Sequence, residues 1–254
     1  MLSSLGLPLE YSGNFAVVYR VRCSETGTTR AVKCFTKEVV AHRRERYQAI
    51  SRYLREARLP FFVDFEYQHR CLLVHGDWHP IVKMDWVEGL RLDAFLTVCF
   101  RKGSPKGMLQ MLCRRWQKLA KQPRAANVAH GDLQHGNVLL VPVPGRDAYR
   151  LRLVDYDGMY VPALADLPPG EMGHAAYQHP QRLETGAYSP EIDRFSHLLI
   201  YTTLRSFMAG GDLNAAGARR DWTEFNYLLE QIRTPQLSVK HLRSLQEVVK
   251  RYPK

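Results

Sequence analysis

The sequence predicts an α+β protein in two parts. Residues 1–88 form a small antiparallel β lobe with one helix, and residues 89–254 form a larger, mainly helical lobe. Three observations carry this. The first ninety residues run in short β-branched and aromatic stretches separated by turn residues. The later chain repeats apolar residues at helical spacing. The length of 254 residues suits one large domain or two small ones and is enough to bury a core.

Taken in order, NFAVVYRVR (14–22) and RAVKCF (30–35) are strands joined by the turn SETGT. Residues 38–58 turn charged and helix-compatible and stop before Pro60. Strands follow at 61–67, 71–74 and 81–87, with a turn at GDWHP (76–80). A short connector lies at Glu88-Gly89. Beyond it, 108–122 sets Leu109, Leu112, Trp116 and Leu119 on one helical face. Two short strands, 138–141 and 151–154, interrupt a loop-rich stretch from 130 to 180. A long helix is expected over 190–207, with Pro190 in its first turn. The last helices are expected over about 222–234 and 237–251.

Composition narrows the function classes. Apolar residues make up 45% and charged residues 24%, as in ordinary globular proteins rather than disordered or fibrous ones. No apolar run reaches the roughly 18 residues that a membrane span needs, and the N-terminus has no basic stretch before its apolar residues, unlike a signal peptide. The five cysteines form no C-x-x-C pair and are read as reduced thiols of a cytoplasmic protein. The net charge of +11 raises the question of an anionic partner. No helix-turn-helix, aromatic platform or zinc module supports a nucleic acid.

The strongest motif is His130-Gly131-Asp132-Leu133-Gln134-His135-Gly136-Asn137, followed by an apolar strand. A second apolar strand then ends in Val154-Asp155-Tyr156-Asp157-Gly158. Phosphoryl transfer from ATP needs a carboxylate to take the proton of the acceptor hydroxyl and oxygen ligands for Mg²⁺. Asp132 supplies the first; Asn137 and Asp155 supply the second. Asp157 is either a further metal ligand or a polar turn residue. His135, His174 and His179 fit no zinc spacing and are read as loop histidines.

With these residues the chain resembles the protein-kinase superfamily over nearly its whole length, on the Ser/Thr-kinase-like branch. The resemblance implies a bilobal protein-kinase-like fold and assigns roles by position. Lys33, in Ala31-Val32-Lys33, pairs the ATP phosphates. Gly13 is the retained glycine of the phosphate loop. Val18 and Ala31 roof the adenine, with Leu139 beneath it. Met84 is the gatekeeper, and the backbone groups of Asp85 and Val87 bond the adenine edge. The stretch GHAAYQHPQ (173–181) stands where the activation segment closes, and Asp193 matches the aspartate that opens the central helix and bonds the catalytic loop. More narrowly, LVDYDGMYVPAL (153–164) and GHAAYQHPQR (173–182) resemble a bacterial protein-kinase-like family.

The pattern also departs from that family. Tyr11 and Ala16 replace two glycines of the phosphate loop, which changes how closely its backbone approaches phosphates. Gly131 replaces the arginine that reads a phosphorylated loop residue. Gln134 replaces the lysine that stabilises the transferring charge. Gln181 replaces a glutamate that forms an ion pair. The acidic partner of Lys33 is either Glu45 or Glu56. The expectation is therefore an ATP- and Mg²⁺-dependent kinase acting on a protein hydroxyl. The alternatives are a nucleotide-binding pseudokinase or scaffold, favoured by the altered loop, and a small-molecule kinase of the aminoglycoside-phosphotransferase type, favoured by the HGD form and Asp157.

The charge is unevenly distributed. Residues 101–124 carry eight Lys/Arg and no acid, whereas residues 131–200 carry five basic and nine acidic groups. The positive excess lies outside the catalytic stretch. It reads as a solvated helix face, or as a docking patch for an acidic partner.

Overall fold

The computed structural model describes residues 10–12, 16–36, 42–101 and 105–209. Gly13 and the helices expected over 222–234 and 237–251 lie outside these residues. The chain divides between Glu88 and Gly89 into two compact units.

The first unit is a five-stranded sheet, with β1 (Glu10–Ser12), β2 (Ala16–Arg22), β3 (Thr29–Phe35), β4 (Phe65–Val74) and β5 (Asp77–Asp85) in the order β1-β2-β3-β5-β4. Every neighbouring pair is antiparallel. One helix, α1 (Arg43–Ala57), lies between β3 and β4 in sequence. It packs through Tyr47, whose ring meets Phe35, Phe65 and Tyr67 at centroid distances of 6.1, 5.7 and 5.6 Å. Its end is fixed by Arg58 in a left-handed conformation, φ 48°, which donates its N–H to the Leu54 carbonyl at 3.0 Å.

The turn expected over 76–80 is displaced. His75 and Gly76, at φ 49° and 93°, make the two-residue hairpin turn instead. Asp77 through His79 already belong to the ladder, opposite Val74 through Leu72. Pro80 sits opposite the bulge between Gln68 and Leu72, where no ladder N–H is demanded of it. A proline inside the strand therefore does not end it. Residues 61–63, expected as strand, precede β4 and are buried without joining the sheet as a strand.

The second unit opens with a two-residue strand, β6 (Leu90–Arg91), and runs through α2 (Leu92–Arg101), α3 (Pro105–Ala125), β7 (Val138–Pro142), β8 (Tyr149–Leu153), α4 (Pro180–Thr185) and α5 (Arg194–Ala209). The strands form a small antiparallel sheet in the order β6-β7-β8. The helical face expected on α3 is the buried one: Leu109, Leu112, Trp116 and Leu119 are each at most 1% exposed. Its contact with α5 includes the Trp116 indole N–H, which donates to the His197 carbonyl at 3.1 Å. The helix expected from Pro190 begins at Arg194. Pro190 lies in the preceding turn, and the Asp193 carbonyl accepts the first helical N–H, from His197, at 2.8 Å.

Taken together, the described residues make a mixed α+β protein with antiparallel sheets and several helices. Among them no helix is long and apolar enough to cross a membrane.

Candidate functional site

The second unit gathers Asp132, Asn137, Asp155 and Asp157 around one loop. That loop is pinned at both ends. Ala129 and Tyr160 exchange backbone hydrogen bonds at 3.2 and 2.9 Å, tying the loop's start to the 158–180 segment. At its far end the Asn137 carbonyl accepts the Val154 N–H at 3.1 Å, which joins the head of β7 to the residue before Asp155. Between these anchors the Asp193 carboxylate accepts the N–H groups of His130, at 2.5 Å, and Gly131, at 2.9 Å. The His130 imidazole donates from Nε2 to the Val154 carbonyl at 3.0 Å, since a carbonyl can only accept.

Gly131 is required where it stands. Its φ is +78°, and a Cβ there would come within 1.9 Å of the Gly158 carbonyl oxygen. Overlap with backbone cannot be relieved by a rotamer change. An arginine, or any other side chain, at position 131 would meet the Gly158 backbone, which runs through the space it would fill.

Asp132 is 7% exposed, and its carboxylate is held by three donors. Oδ1 accepts the His174 backbone N–H at 2.6 Å. Oδ2 accepts from Asn137 Nδ2 at 2.8 Å and from Gln134 Nε2 at 3.1 Å. Gln134 therefore takes a neutral grip on the carboxylate. Asn137 Nδ2 also donates to the Asp132 carbonyl at 2.9 Å. With both amide hydrogens engaged, Oδ1 is the group Asn137 offers to a cation.

Asp155 lies two residues beyond the end of β8 and adopts φ 71°, a conformation that costs a non-glycine residue about 1–2 kcal/mol. Strain of this kind persists where surrounding structure enforces it, and it clusters at functional sites. Here the enforcing neighbours are the bond from Val154 to Asn137 and the buried Tyr156, whose hydroxyl donates to the Leu153 carbonyl at 2.7 Å. Asp155 and Asp157 are both half-buried, so each retains some access to solvent.

Among the described residues no group of three or more His, Cys, Asp or Glu side chains is arranged to hold a metal ion. An amide oxygen with one or two carboxylates is a smaller, all-oxygen set. It fits Mg²⁺, which keeps several waters and shares its remaining positions with substrate phosphates.

The His135 and His174 rings both lie against the Tyr177 ring, at centroid distances of 5.7 and 5.6 Å. His135 Nδ1 and the Tyr177 hydroxyl lie 2.6 Å apart. Burial pulls the His135 imidazole down, against the opposing pull of Asp93, and burial holds the Tyr177 phenol well above its usual range. Both are neutral near pH 7, and they share an uncharged hydrogen bond. His174 is exposed and caps the short 3₁₀ turn at Ala175–Tyr177 through Nδ1. His179 is the N-cap of α4, its Nδ1 accepting the Gln181 N–H at 3.2 Å.

In the first unit the register aligns the other expected residues. Val18, Lys33 and Val82 are direct cross-strand partners, as are Arg20, Ala31 and Met84. Direct partners share a face and alternate residues repeat it, so Val18, Ala31, Lys33 and Met84 lie on one face of the sheet. Lys33 is 5% exposed, Ala31 6% and Met84 7%. The Lys33 ammonium lies 5.9 Å from the centre of the Phe35 ring. Glu45 and Glu56 both lie on the exposed side of α1, whose buried side carries Arg43, Arg46, Tyr47, Ile50, Ser51 and Leu54. The Asp85 N–H donates to the Asp64 carbonyl at 3.3 Å, its carboxylate pairs with Arg30, and Val87 is half-buried. Leu139, in the second unit, is half-buried on β7 between Arg91 and Arg152, on the face opposite the fully buried Val138 and Leu140.

Two residues were missed by sequence reasoning. Gln178 and Arg182 are 2% and 3% exposed, and both donate to the Gly131 carbonyl, at 3.1 and 2.8 Å. They are also bonded to each other. The only hint in the sequence is a glutamine and an arginine four residues apart in GHAAYQHPQR; Gln178 is extended and precedes the His179 N-cap, and Arg182 lies in the first turn of α4. No protein-family model matches this sequence, and no curated protein matches it.

Proposed function

We propose that the protein is an ATP- and Mg²⁺-dependent phosphotransferase of the protein-kinase type that acts on a hydroxyl group of a protein. The observation that carries the reading is the Asp132–Asn137 pair. A carboxylate held by three uncharged donors is bonded to an amide whose backbone is tied to the strand leading into Asp155. In this reading Asp132 accepts the proton of the acceptor hydroxyl as its oxygen attacks the γ-phosphorus of ATP and the bond from that phosphorus to the bridging oxygen breaks, releasing ADP. The three donors orient the carboxylate without adding charge beside it. Asn137 and Asp155 would hold Mg²⁺, with Asp157 as the candidate for a further ligand; the ion, when bound, would neutralise charge on the phosphates. Lys33 pairs the ATP phosphates, and Val18, Ala31, Met84 and Leu139 line the adenine, with the backbone of Asp85 and Val87 at its edge.

The test is transfer of labelled phosphate from ATP with Mg²⁺, to the protein itself or to a generic protein substrate. Wild type should label one of these. Asp132→Ala should transfer at least about 10²-fold more slowly while MgATP still raises its melting temperature. Transfer retained in Asp132→Ala would remove the base from this residue. A wild type that binds nucleotide and transfers nothing would leave the pseudokinase reading. Labelling of an aminoglycoside alone would leave the small-molecule one.

A further inference from the structure

We infer that Arg182 is the positioning residue of the catalytic loop, and that it holds the loop in its working geometry without any phosphorylated residue on the 158–180 segment. The inference rests on the phosphotransfer reading above.

The Gly131–Asp132 peptide unit is where the loop must be rigid, because its orientation sets where the Asp132 side chain starts. Asp193 fixes the peptides just before it by accepting the N–H groups of His130 and Gly131. The Gly131 carbonyl is fixed from the other side, by Arg182 Nη1 at 2.8 Å and Gln178 Nε2 at 3.1 Å. No side chain at position 131 could do this, because a Cβ there would overlap the Gly158 carbonyl. The cation therefore has to arrive from elsewhere, and it arrives from α4. Arg182 is 3% exposed, and its Nε and Nη2 are buried without a hydrogen-bond partner. Burial pulls its pKa down, and the Asp193 and Asp132 carboxylates oppose this. A guanidinium kept at that cost is favoured by a charge-assisted bond to the carbonyl and by two carboxylates nearby.

Arg182 also closes a circuit. The segment that ends in α4 carries the His174 N–H that grips Asp132 Oδ1. Gly173 lets it approach: at φ +73°, a Cβ there would lie 2.6 Å from the Gly131 oxygen and 2.9 Å from Asp132 Oδ1. Segment and loop thus hold each other through neutral groups and one internal cation. The segment offers nothing for a kinase to modify. Residues 158–180 contain no serine or threonine, and their two tyrosines, Tyr160 and Tyr177, are 8% and 2% exposed.

The test compares wild type, Arg182→Met and Arg182→Lys, each checked for a cooperative melt. Intact mass should show no phosphate on freshly purified, phosphatase-treated wild type, and that protein should turn over at the untreated rate. Arg182→Met should lose about 10²-fold in kcat, the scale of a misplaced catalytic group, with the KM for ATP within twofold. Arg182→Lys, which keeps one donor, should recover part of the loss; if Arg182→Met does not fold, Arg182→Lys alone should still show a reduced kcat at unchanged KM. Wild-type kcat in Arg182→Met, or turnover that appears only after phosphorylation, overturns the inference. If wild type transfers no phosphate at all, the phosphotransfer reading fails instead. Hydrogen exchange then decides the anchor: protection of 130–134 should fall at least tenfold in Arg182→Met, and unchanged protection overturns it.

Discussion

At the scale of single residues, backbone conformation and space separate glycines that look alike in sequence. Gly131 and Gly186 both adopt positive φ, at 78° and 67°, but only Gly131 is crowded, with Gly158 backbone where its Cβ would be; Gly186 faces open space. Gly186→Ala should therefore cost only the left-handed penalty, about 1 kcal/mol. Gly131→Ala should cost that plus a backbone displacement, about 3 kcal/mol or more. Urea denaturation of the two variants checks this, and equal losses would contradict it. Asp155 gives the opposite case. A carboxylate kept at φ 71° is strained, so Asp155→Gly should gain about 1 kcal/mol of stability while Mg²⁺-dependent transfer is lost. A destabilised Asp155→Gly would mean that the side chain's contacts outweigh the strain.

At the scale of elements, much was legible because periodicity reports burial directly. The buried stripe on α3 follows from the spacing of Leu109, Leu112, Trp116 and Leu119, and the β2–β3 pair follows from two β-branched runs around a turn. Boundaries were less legible, because they depend on partners distant in sequence. Pro80 marks a turn by local rules, yet a bulge three residues long on the opposite strand lets it stay inside β5. The start of α5 shifted from Pro190 to Arg194, where Asp193 turns its carboxylate onto the His130 and Gly131 peptides and its carbonyl into the helix. At the site, residue types and spacing brought out Asp132, Asn137 and Asp155. The donors that orient Asp132 include a peptide N–H of His174, and a backbone group leaves no trace in composition.

The α3–α5 interface also carries a pH dependence. His197 lies edge-on to Trp116, with ring centroids 5.5 Å apart, and its Nδ1 is buried without a hydrogen-bond partner. Burial lowers its pKa, opposed by Asp193 and reinforced by His130. The unfolded chain, with an ordinary imidazole near 6.5, therefore binds a proton before the folded chain does. Stability from this group is complete above about pH 6.5 and falls as pH drops below it, by at most ~1.4 kcal/mol per pH unit. His135, lowered in the same direction, adds to the slope. Denaturant midpoints between pH 7.5 and pH 5 should show the decline, and His197→Gln should flatten it. A slope unchanged in His197→Gln would assign the acid sensitivity to other groups.

At the scale of the whole molecule, the net charge of +11 invites a nucleic-acid reading that the distribution of charge argues against. The stretch around the candidate site is acidic, with nine acidic and five basic groups over residues 131–200, a sign that repels a nucleic-acid backbone. The basic excess is concentrated on α3, where Arg114, Lys118 and Lys121 are exposed and spaced to share one face, while Trp116 and Leu119 face the core. None of these three side chains bonds Asp132, Asn137 or Asp193. Exposed charges interact with the site only through a field that salt screens over about 10 Å at 0.1 M. Reversing all three to Glu should therefore leave stability within about 1 kcal/mol and kcat on an uncharged peptide within about twofold. If the face docks an acidic partner, the same triple reversal should raise the KM for an acidic protein substrate by at least tenfold at low salt, and the effect should fade by 0.5 M salt. An unchanged KM for acidic substrates would make the face a solvated surface only. A collapse of kcat on the uncharged peptide would show that the basic face and the acidic centre are coupled more tightly than screening allows.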